Sequence, residues 1–281
     1  MAIASEVGGD WVPRTRRFVV AGSGPSLLTF DPRRVDRDAT IIRVNNFFFE
    51  DVYRLGRRVD LVQVGGDRWV FPFYAATLRR LIAEDVYDVR GWSSHQPQVI
   101  RRGLKSVVLP FVPIRYRDRE AEVAIGALVE RYGKIPTTGI LAIINAHGLE
   151  AETITLVGID LYATPHRYAH SLGGHSAALI QQIGTSGYNN RFHDRALDRA
   201  ILSYLLERGD VRIERTSPDG GALHFLPLAR QRDNGFFAER KTVVINDWDR
   251  WAGLWPIEAM RLARRANEIR RSMLAFKRAG R

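Results

Sequence analysis

A glycine-rich turn near the start of the chain has residue types that bind phosphate. The turn, Ala21-Gly-Ser-Gly-Pro-Ser-Leu27, follows an apolar and β-branched run. Gly22 and Gly24 allow tight turns and close approach of a ligand, and backbone N–H groups ahead of a helix attract anions. The turn lacks the third glycine of a dinucleotide motif, because Leu27 stands there, and it lacks the Gly-Lys-Ser/Thr of a P-loop. It fits either a nucleotide-phosphate site or a structural turn between strand and helix.

Histidine and tyrosine side chains further along have the chemistry of group transfer. His193 is the candidate general base, because imidazole titrates near neutral pH and this residue precedes a predicted helix. Tyr162, Tyr168 and Tyr188 carry phenol groups, which can hydrogen-bond a phosphate without bringing full charge. For each of these residues a structural or solvated role is the alternative.

An acidic pair offers metal-dependent chemistry instead. Asp247-Trp248-Asp249 resembles the Asp-x-Asp pattern in which two carboxylates hold a divalent cation against a sugar diphosphate. Asp36-Arg37-Asp38 matches the same short pattern, and Asp247 or Asp249 also suits the N-cap of a following helix. The spacing of three loop histidines matches no established set of metal ligands; they are His166, His170 and His175. We therefore predict no resident metal.

Alternating strands and helices must position these residues. Apolar runs predict strands over 18–21, 40–44, 60–64, 105–112, 153–159, 211–215 and 242–245, and helical spacing predicts helices over 73–83, 120–132, 140–147 and from about 193 to 208. This order predicts an α/β fold with a mostly parallel, Rossmann-like sheet and helices on both faces. Ligands bind such sheets at the carboxyl ends of the strands, where Gly22, Asn45, Gly65 and Asp160 are expected to meet.

Three connecting or terminal segments complete the organisation. Thr137 or Thr138 is predicted to cap the helix that follows them. Residues 163–192 are rich in Gly, Ser, His and Tyr and lack periodicity, which predicts a lid. Residues 1–250 would form one nucleotide-sugar-binding domain, and residues 251–281 would form a basic helix. An apolar stripe runs along that helix through Trp255, Ala259, Leu262, Ala266, Ile269, Met273 and Phe276.

Composition and charge narrow the class of protein. The chain has 281 residues, no cysteine and a formal charge of +11, of which +6 lies in residues 251–281. The missing cysteines exclude a disulfide scaffold and a thiolate metal site. We expect a cytoplasmic protein, because the sequence shows neither a signal peptide nor an apolar run long enough to cross a membrane. The basic tail fits an anionic membrane surface, and it fits packing on the body or on another subunit equally well.

Several motifs follow one another in an order that is typical of one enzyme family. They are Ala21-Gly-Ser-Gly-Pro-Ser-Leu27, Arg43-Val-Asn-Asn-Phe-Phe-Phe-Glu-Asp51 with Tyr53-Arg-Leu-Gly56, Thr137-Thr-Gly139, Gly158-Ile-Asp-Leu-Tyr162 with Tyr168, and His193 with Asp198. In these motifs the chain resembles the bacterial family 42 sialyltransferases from about residue 18 to residue 206. Those enzymes use CMP-sialic acid to modify lipooligosaccharide. The resemblance implies a single nucleotide-binding domain of a variant GT-A type.

The resemblance also implies a role for each matched residue. His193 would deprotonate the acceptor hydroxyl, while Tyr162 and Tyr168 would stabilise the departing phosphate. The donor would contact residues at the strand ends, which are Gly22, Ser23, Gly24, Ser26, Asn45, Thr138, Gly139 and Asp160. Ser23 stands where the family usually has asparagine. Gly65 falls near a second family asparagine, and Ile135 falls near an arginine that faces the acceptor, so the acceptor stays undefined.

The resemblance therefore implies an inverting, metal-independent enzyme that moves sialic acid from CMP-sialic acid to a glycan of a cell-surface glycolipid. It implies no cofactor, and it implies a peripheral location on the inner face of the membrane through residues 251–281. A homo-oligomer also fits the tail, and no specific nucleic-acid partner is predicted. The alternatives are transfer from another CMP-nonulosonate such as CMP-Kdo, metal-dependent transfer from a nucleoside-diphosphate sugar through Asp247 and Asp249, and a non-catalytic basic protein that binds polyanions.

Overall fold

A six-stranded parallel sheet forms the centre of the molecule. The computed structural model describes residues 11–65, 67–163, 168–174, 191–233, 238–245 and 247, and eight positions of the tail between 259 and 273. The strands are β1 Arg17–Ala21, β2 Thr40–Val44, β3 Val52–Tyr53, β4 Arg58–Val59, β5 Leu61–Val64, β6 Asp88–Val89, β7 Trp92–Ser94, β8 Thr153–Val157, β9 Arg212–Arg215 and β10 Glu239–Arg240. The main sheet has the order β7-β5-β2-β1-β8-β9, and all five of its strand pairs are parallel. The predicted mostly parallel α/β fold is confirmed.

Helices cover both faces of this sheet, as the sequence predicts. They are α1 Phe71–Ala83, α2 Pro97–Ser106, α3 Arg119–Tyr132, α4 Thr138–Gly148 and α5 Arg195–Arg208. Phe18 and Val20 of β1 belong to the apolar core that contains α4 and α5. Alternate residues of a strand point to opposite faces, so Val19 lies in a separate core, with Leu27 and Val35. Val62 of β5 packs with α1 on that second side of the sheet.

The strand order creates a crevice beside β1. From β1 the chain adds β2, β5 and β7 on one side, and it then returns to place β8 on the other side. Connections that leave β1 and β8 at their carboxyl ends therefore diverge, and this divergence opens the crevice in which ligands of such sheets bind.

Two predicted strands are wrong. Residues 105–112 do not form a strand, because Lys105 and Ser106 complete α2 and only Phe111 forms an isolated bridge, to Trp92. Pro110 and Pro113 lack the N–H groups that a sheet ladder needs. The strand of this region is β7, which has only three residues.

The predicted strand over 242–245 is also absent, since β10 ends at Arg240. The next residue, Lys241, turns inward, and its ammonium group donates to the carbonyl oxygens of Phe48 at 2.8 Å and Glu50 at 2.9 Å. Sheet pairing therefore stops where this lysine enters the core.

The tail helix is described at eight positions only. These positions are helical and exposed, and they are 259, 262, 263, 265, 266, 269, 270 and 273. Five residues of the predicted stripe lie among them. The three with large apolar side chains are mostly exposed, Leu262 at 65%, Ile269 at 60% and Met273 at 63%. Within the part of the chain that is described, no helix has both the length and the apolar character needed to cross a bilayer.

Candidate active site

A cleft opens at the carboxyl ends of β1, β2 and β8 and at the start of α4. It encloses about 660 Å³, counting the space that is open to solvent. Its lining comes from the turns after these strands, from the start of α4 and from one tyrosine beyond β8, namely Gly22, Ser23, Gly24, Pro25, Val44, Asn45, Asn46, Thr137, Thr138, Gly139, Gly158, Ile159, Asp160, Leu161, Tyr162 and Tyr168. Eleven site residues were predicted, and nine of them lie in this lining. The other two, Ser26 and His193, lie outside it.

The glycine-rich turn packs directly against the turn that follows β8. The N–H of Gly22 donates to the carbonyl oxygen of Val157 and the N–H of Gly24 donates to that of Gly158, both at 2.9 Å. A β-carbon at position 24 would lie 2.2 Å from a carboxylate oxygen of Asp160. Glycine is required here for close packing of two backbones, and these two N–H groups already have acceptors.

Asp160 organises the same turn from the other side. Its carboxylate accepts the N–H of Ser26 at 3.0 Å, at the start of the short 3₁₀ turn Pro25–Leu28. The Asp160 carboxylate therefore occupies the start of this turn, where the sequence predicts that a phosphate could bind. The hydroxyl of Ser23, unlike the N–H of Ser26, has no hydrogen-bond partner among the described residues, and its oxygen is buried. A ligand in the cleft can supply that partner.

Asn45 joins the ends of β2 and β5. Its backbone has a left-handed φ of 51°, and its side-chain oxygen accepts the N–H of Gly65 at 2.7 Å. A β-carbon at position 65 would lie 2.9 Å from that oxygen and 3.1 Å from the hydroxyl of Thr138. A side chain at position 65 would therefore crowd Asn45 and Thr138 in this protein.

The two tyrosines approach the cleft from the segment after β8. Tyr162 has a left-handed φ of 53°, as does its neighbour Leu161 with 47°, so the chain turns sharply at these two residues of the lining. Tyr168 stacks on His170, with ring centroids 5.2 Å apart and an interplanar angle of 18°. The next residue, Ala169, donates its N–H to the carbonyl oxygen of Ser23 at 2.9 Å. This bond holds the tyrosine beside the glycine-rich turn.

His193 lies just before α5, whose N-cap is Asp194. Its Nδ1 lies 2.9 Å from the carbonyl oxygen of Ile135, which fixes the ring and places the proton on Nδ1. The Nε2 lone pair is then available to accept a proton. Burial lowers the pKa of His193 below 6.5, and the bond to Ile135 opposes this shift. The side chain is therefore a neutral imidazole at pH 7, as a general base requires.

Asp198 of α5 determines the conformation ahead of α4. Its carboxylate accepts the N–H of Thr137 at 3.0 Å and the hydroxyl of Thr137 at 2.7 Å. Burial raises the pKa of Asp198 to about 6. Thr137 is the N-cap residue of α4, but its side chain forms no capping bond, so the prediction of a threonine cap is wrong. The threonine hydroxyl instead links the start of α4 to α5, the helix that follows His193.

Sequence reasoning missed His95, and it considered His170 only as a metal ligand. Both ring nitrogens of each histidine are buried and have no hydrogen-bond partner among the described residues. His95 comes directly after β7, and burial lowers its pKa. No apolar pattern marks this position in the sequence, because β7 is a three-residue strand that contains two serines.

Several predicted residues lie outside the described part of the chain. They are Asp249 of the Asp-x-Asp pair, the loop histidines His166 and His175, and Tyr188. Asp247 is described, and its carboxylate lies beside Gly173. Among the described residues, no three His, Cys, Asp or Glu side chains are grouped as ligands of a metal ion.

Known proteins resemble the chain in sequence and in fold. Residues 16–94 match the model of the CST-I alpha-2,3-sialyltransferase family. Monofunctional alpha-2,3-sialyltransferase Cst-I from Campylobacter jejuni is 20% identical, with a TM-score of 0.73 over 95% of this chain and 99% of that one. Sialyltransferase CstII from Campylobacter jejuni in complex with the substrate analogue CMP-3FNeuAc is 21% identical, with a TM-score of 0.70 over 82% and 93%. No curated protein sequence matches the chain.

The sheet, the crevice and the shared fold place the chain in the α/β fold class of the solved sialyltransferase structures. The match over residues 16–94 narrows that class, and the predicted resemblance to sialyltransferases is confirmed. The chain is thus similar to sialyltransferases in sequence over residues 16–94 and in fold over most of its length.

Proposed function

We propose that the protein transfers sialic acid from CMP-sialic acid to a hydroxyl group of a glycan, with inversion and without a metal. The observation that supports this proposal is the cleft lined by Tyr162, Tyr168 and the glycine-rich turn, together with the imidazole of His193, which a bond to Ile135 orients. Related folds have been solved with the matching ligands, since CST-II forms complexes with CMP and with CMP plus a trisaccharide acceptor.

The donor fits the strand ends on this proposal. Gly22, Ser23 and Gly24 would line the phosphate and ribose. The Ser23 hydroxyl, which has no hydrogen-bond partner among the described residues, would be the polar contact to the donor. Asn45, Thr138 and Gly139 face the same space from the other wall. Ser26 would not contact the donor, because its N–H already donates to the Asp160 carboxylate. On this proposal both residues stabilise the glycine-rich turn instead of binding the donor.

The proposed transfer step gives one role to His193 and another to the two tyrosines. Nε2 of His193 accepts the proton of the acceptor hydroxyl, whose oxygen then bonds to the anomeric carbon of sialic acid. The bond from that carbon to the phosphate oxygen breaks, and CMP leaves with the electron pair. The hydroxyls of Tyr162 and Tyr168 donate to the phosphate as its charge develops. A single phosphate needs no metal bridge for this stabilisation, in contrast to a diphosphate leaving group.

The charge and the apolar side chains of the tail favour binding to an anionic membrane surface. Residues 251–281 carry a net charge of +6. Leu262, Ile269 and Met273 are exposed on the predicted stripe. A helix of this kind lies in the membrane interface with its apolar side inserted. We propose that the tail holds the enzyme on the inner face of the membrane, where a glycolipid acceptor such as lipooligosaccharide is built. The division into residues 1–250 and 251–281 belongs to the same proposal.

Thermal stabilisation by nucleotides tests the proposal before any acceptor is known. CMP, CDP, UDP and GDP are each added with and without Mg²⁺, and the melting temperature is recorded. We expect cytidine nucleotides to raise it without metal, because ligand binding to the folded state stabilises it by mass action. A rise only with UDP or GDP plus Mg²⁺ would favour the alternative through Asp247 and Asp249. A transfer assay with CMP-sialic acid and CMP-Kdo, in EDTA, then identifies the donor sugar.

A further inference from the structure

The side chain of His170 contacts the described residues through its ring and not through its nitrogens. The ring stacks on Tyr168, with centroids 5.2 Å apart and an angle of 18° between the two planes. Phe49 meets the same ring nearly edge to face, with centroids 5.7 Å apart and an interplanar angle of 70°. Both ring nitrogens are buried, and neither has a hydrogen-bond partner in the described part of the chain. Aromatic packing is therefore the interaction that the structure gives this side chain.

Of these two rings, Phe49 belongs to a firmly anchored part of the core. It is 2% exposed and ends the short 3₁₀ turn Phe47–Phe49 after β2. The next residue is Glu50, whose carboxylate accepts from the guanidinium of Arg43 in β2. The carbonyl oxygen of Glu50 accepts from the ammonium group of Lys241 at 2.9 Å. Bonds to β2 and to the residue after β10 thus hold the turn against which His170 packs.

The imidazole of His170 carries no charge at neutral pH. Burial lowers its pKa to about 4, and the nearby charges of Lys241 and Arg43 act in the same direction. Arg54 adds to this shift, while Asp51 opposes it. The ring is therefore neutral at pH 7, and what it offers to its neighbours is a flat aromatic surface.

The backbone holds the same segment at a second point. The N–H of Ala169 donates to the carbonyl oxygen of Ser23 at 2.9 Å. This bond fixes the chain beside the cleft, but a tyrosine side chain still rotates about its own two bonds. Tyr168 lines the cleft, so its phenol stays in one direction there only if the ring itself is held. The stack on His170 supplies that restraint.

We propose that His170 is a positioning residue, which holds the phenol of Tyr168 toward the phosphate of the donor by stacking on its ring. This inference rests on the proposed function, in which Tyr168 donates to the departing phosphate. It adds to the determinants of the rate a residue that does not line the cleft. The effect is on the rate because a small displacement of a group that acts in the transition state is costly.

The first test measures release of CMP from CMP-sialic acid, without an acceptor, by His170→Leu and His170→Phe. Leucine fills much of the same space but has no flat ring, so we expect kcat to fall about tenfold with little change in the KM of the donor. Phenylalanine keeps the stack and should restore kcat to near the wild-type value. An unchanged kcat in His170→Leu, or an equal loss in His170→Phe, would overturn the inference.

His224→Leu is the matched control for this comparison. His224 also meets an aromatic ring, that of Phe225, with centroids 6.1 Å apart, but it is exposed. This control should leave kcat unchanged. The thermal shift with CMP should stay the same in the two His170 variants and in the control, which shows that the fold and the nucleotide site are intact.

A double variant shows whether His170 acts through Tyr168. Tyr168→Phe lacks the hydroxyl that the stack would position, so adding His170→Leu should cost no further activity in that background. A further loss of about tenfold in the double variant would mean that His170 affects the rate by another route, and it would overturn the inference.

Proton NMR of protein with ¹³C-labelled tyrosine rings tests the contact without any turnover. The signal of Tyr168 is the one that disappears in Tyr168→Phe. Because a stacked ring shields its neighbour, the signal should move downfield in His170→Leu and stay shielded in His170→Phe. An unmoved signal in His170→Leu would overturn the inference whatever the activity. Failure of the wild type to release CMP from CMP-sialic acid would instead overturn the proposed function, and the inference with it, even where the signal moves as expected.

Discussion

His193 combines the two properties that a general base needs, an oriented ring and a lone pair at neutral pH. Its Nδ1 bonds Ile135 at 2.9 Å, and burial lowers its pKa below 6.5. Protonation abolishes the base, so the acid limb of kcat/KM should have its midpoint below pH 6.5. His193→Gln should abolish transfer and keep the thermal shift with CMP, because on the proposed mechanism the imidazole would contact the acceptor and not the nucleotide. Loss of CMP binding in this variant would contradict the role.

Tyr162 and Tyr168 should affect the departing phosphate. Removal of one hydrogen-bond donor to a developing charge costs about a hundredfold or more in kcat. We expect Tyr162→Phe and Tyr168→Phe each to lose about this much, with a smaller change in the KM of the donor. Tyr116→Phe is the control, since Tyr116 is 38% exposed and lies outside the cleft. Equal rates for all three variants in a CMP-release assay would exclude the tyrosines from catalysis.

At the scale of elements, the contact between the turns after β1 and β8 gives a sharp prediction. A β-carbon at position 24 would lie 2.2 Å from Asp160 and 2.9 Å from the carbonyl oxygen of Gly158, a rigid backbone atom. Gly24→Ala should therefore lower the melting temperature by several degrees and eliminate the CMP shift. Gly126→Ala is the matched control, because a β-carbon there meets no atom within 4 Å, and it should stabilise α3 by about 0.5–1 kcal/mol.

The bond between α5 and the turn before α4 gives a second prediction at this scale. The pKa of Asp198 is raised from 3.8 to about 6, so the folded state binds this proton more tightly than the unfolded chain does. The associated stability is complete below pH 3.8 and is lost as the pH rises through 6, on the order of 3 kcal/mol. Urea unfolding at several pH values should show Asp198→Asn gaining on the wild type between pH 4 and pH 7. A constant difference would mean that the carboxylate is not buried.

The elements also show what could be predicted from the sequence. Strands β1, β2 and β8 are buried on both faces, so they appear as short runs rich in Val, Ile and Leu, and their ends correctly indicated the cleft. β7 has the sequence Trp-Ser-Ser, whose two serines are buried although they are polar, and no hydrophobic pattern reveals such a strand. His95 follows that strand, so it was missed for the same reason. The partners of Gly22, Gly24 and Ser26 required the fold itself, because they are backbone and carboxylate atoms contributed from beyond residue 156.

At the scale of the whole molecule, charge and apolar surface are combined in one segment. Removal of residues 251–281 takes +6 from a total of +11, so residues 1–250 keep a net charge of +5. It also removes the exposed side chains Leu262, Ile269 and Met273. We expect the truncated protein to leave sedimented vesicles that contain anionic lipid, while its thermal shift with CMP stays the same. Because surface attraction is screened, the full chain should also dissociate as the salt concentration rises.

A triple variant separates a membrane role of the tail from packing on another subunit. Replacing Leu262, Ile269 and Met273 by serine keeps every charge and removes the apolar surface that would insert among the lipids. If the helix lies in the membrane interface, the variant should bind anionic vesicles more weakly and should sediment in the ultracentrifuge as the wild type does. If the stripe joins two copies of the chain, the variant should have a lower mass and keep its salt-sensitive vesicle binding. The second result would make the tail an oligomerisation element and would assign membrane attraction to its arginines alone.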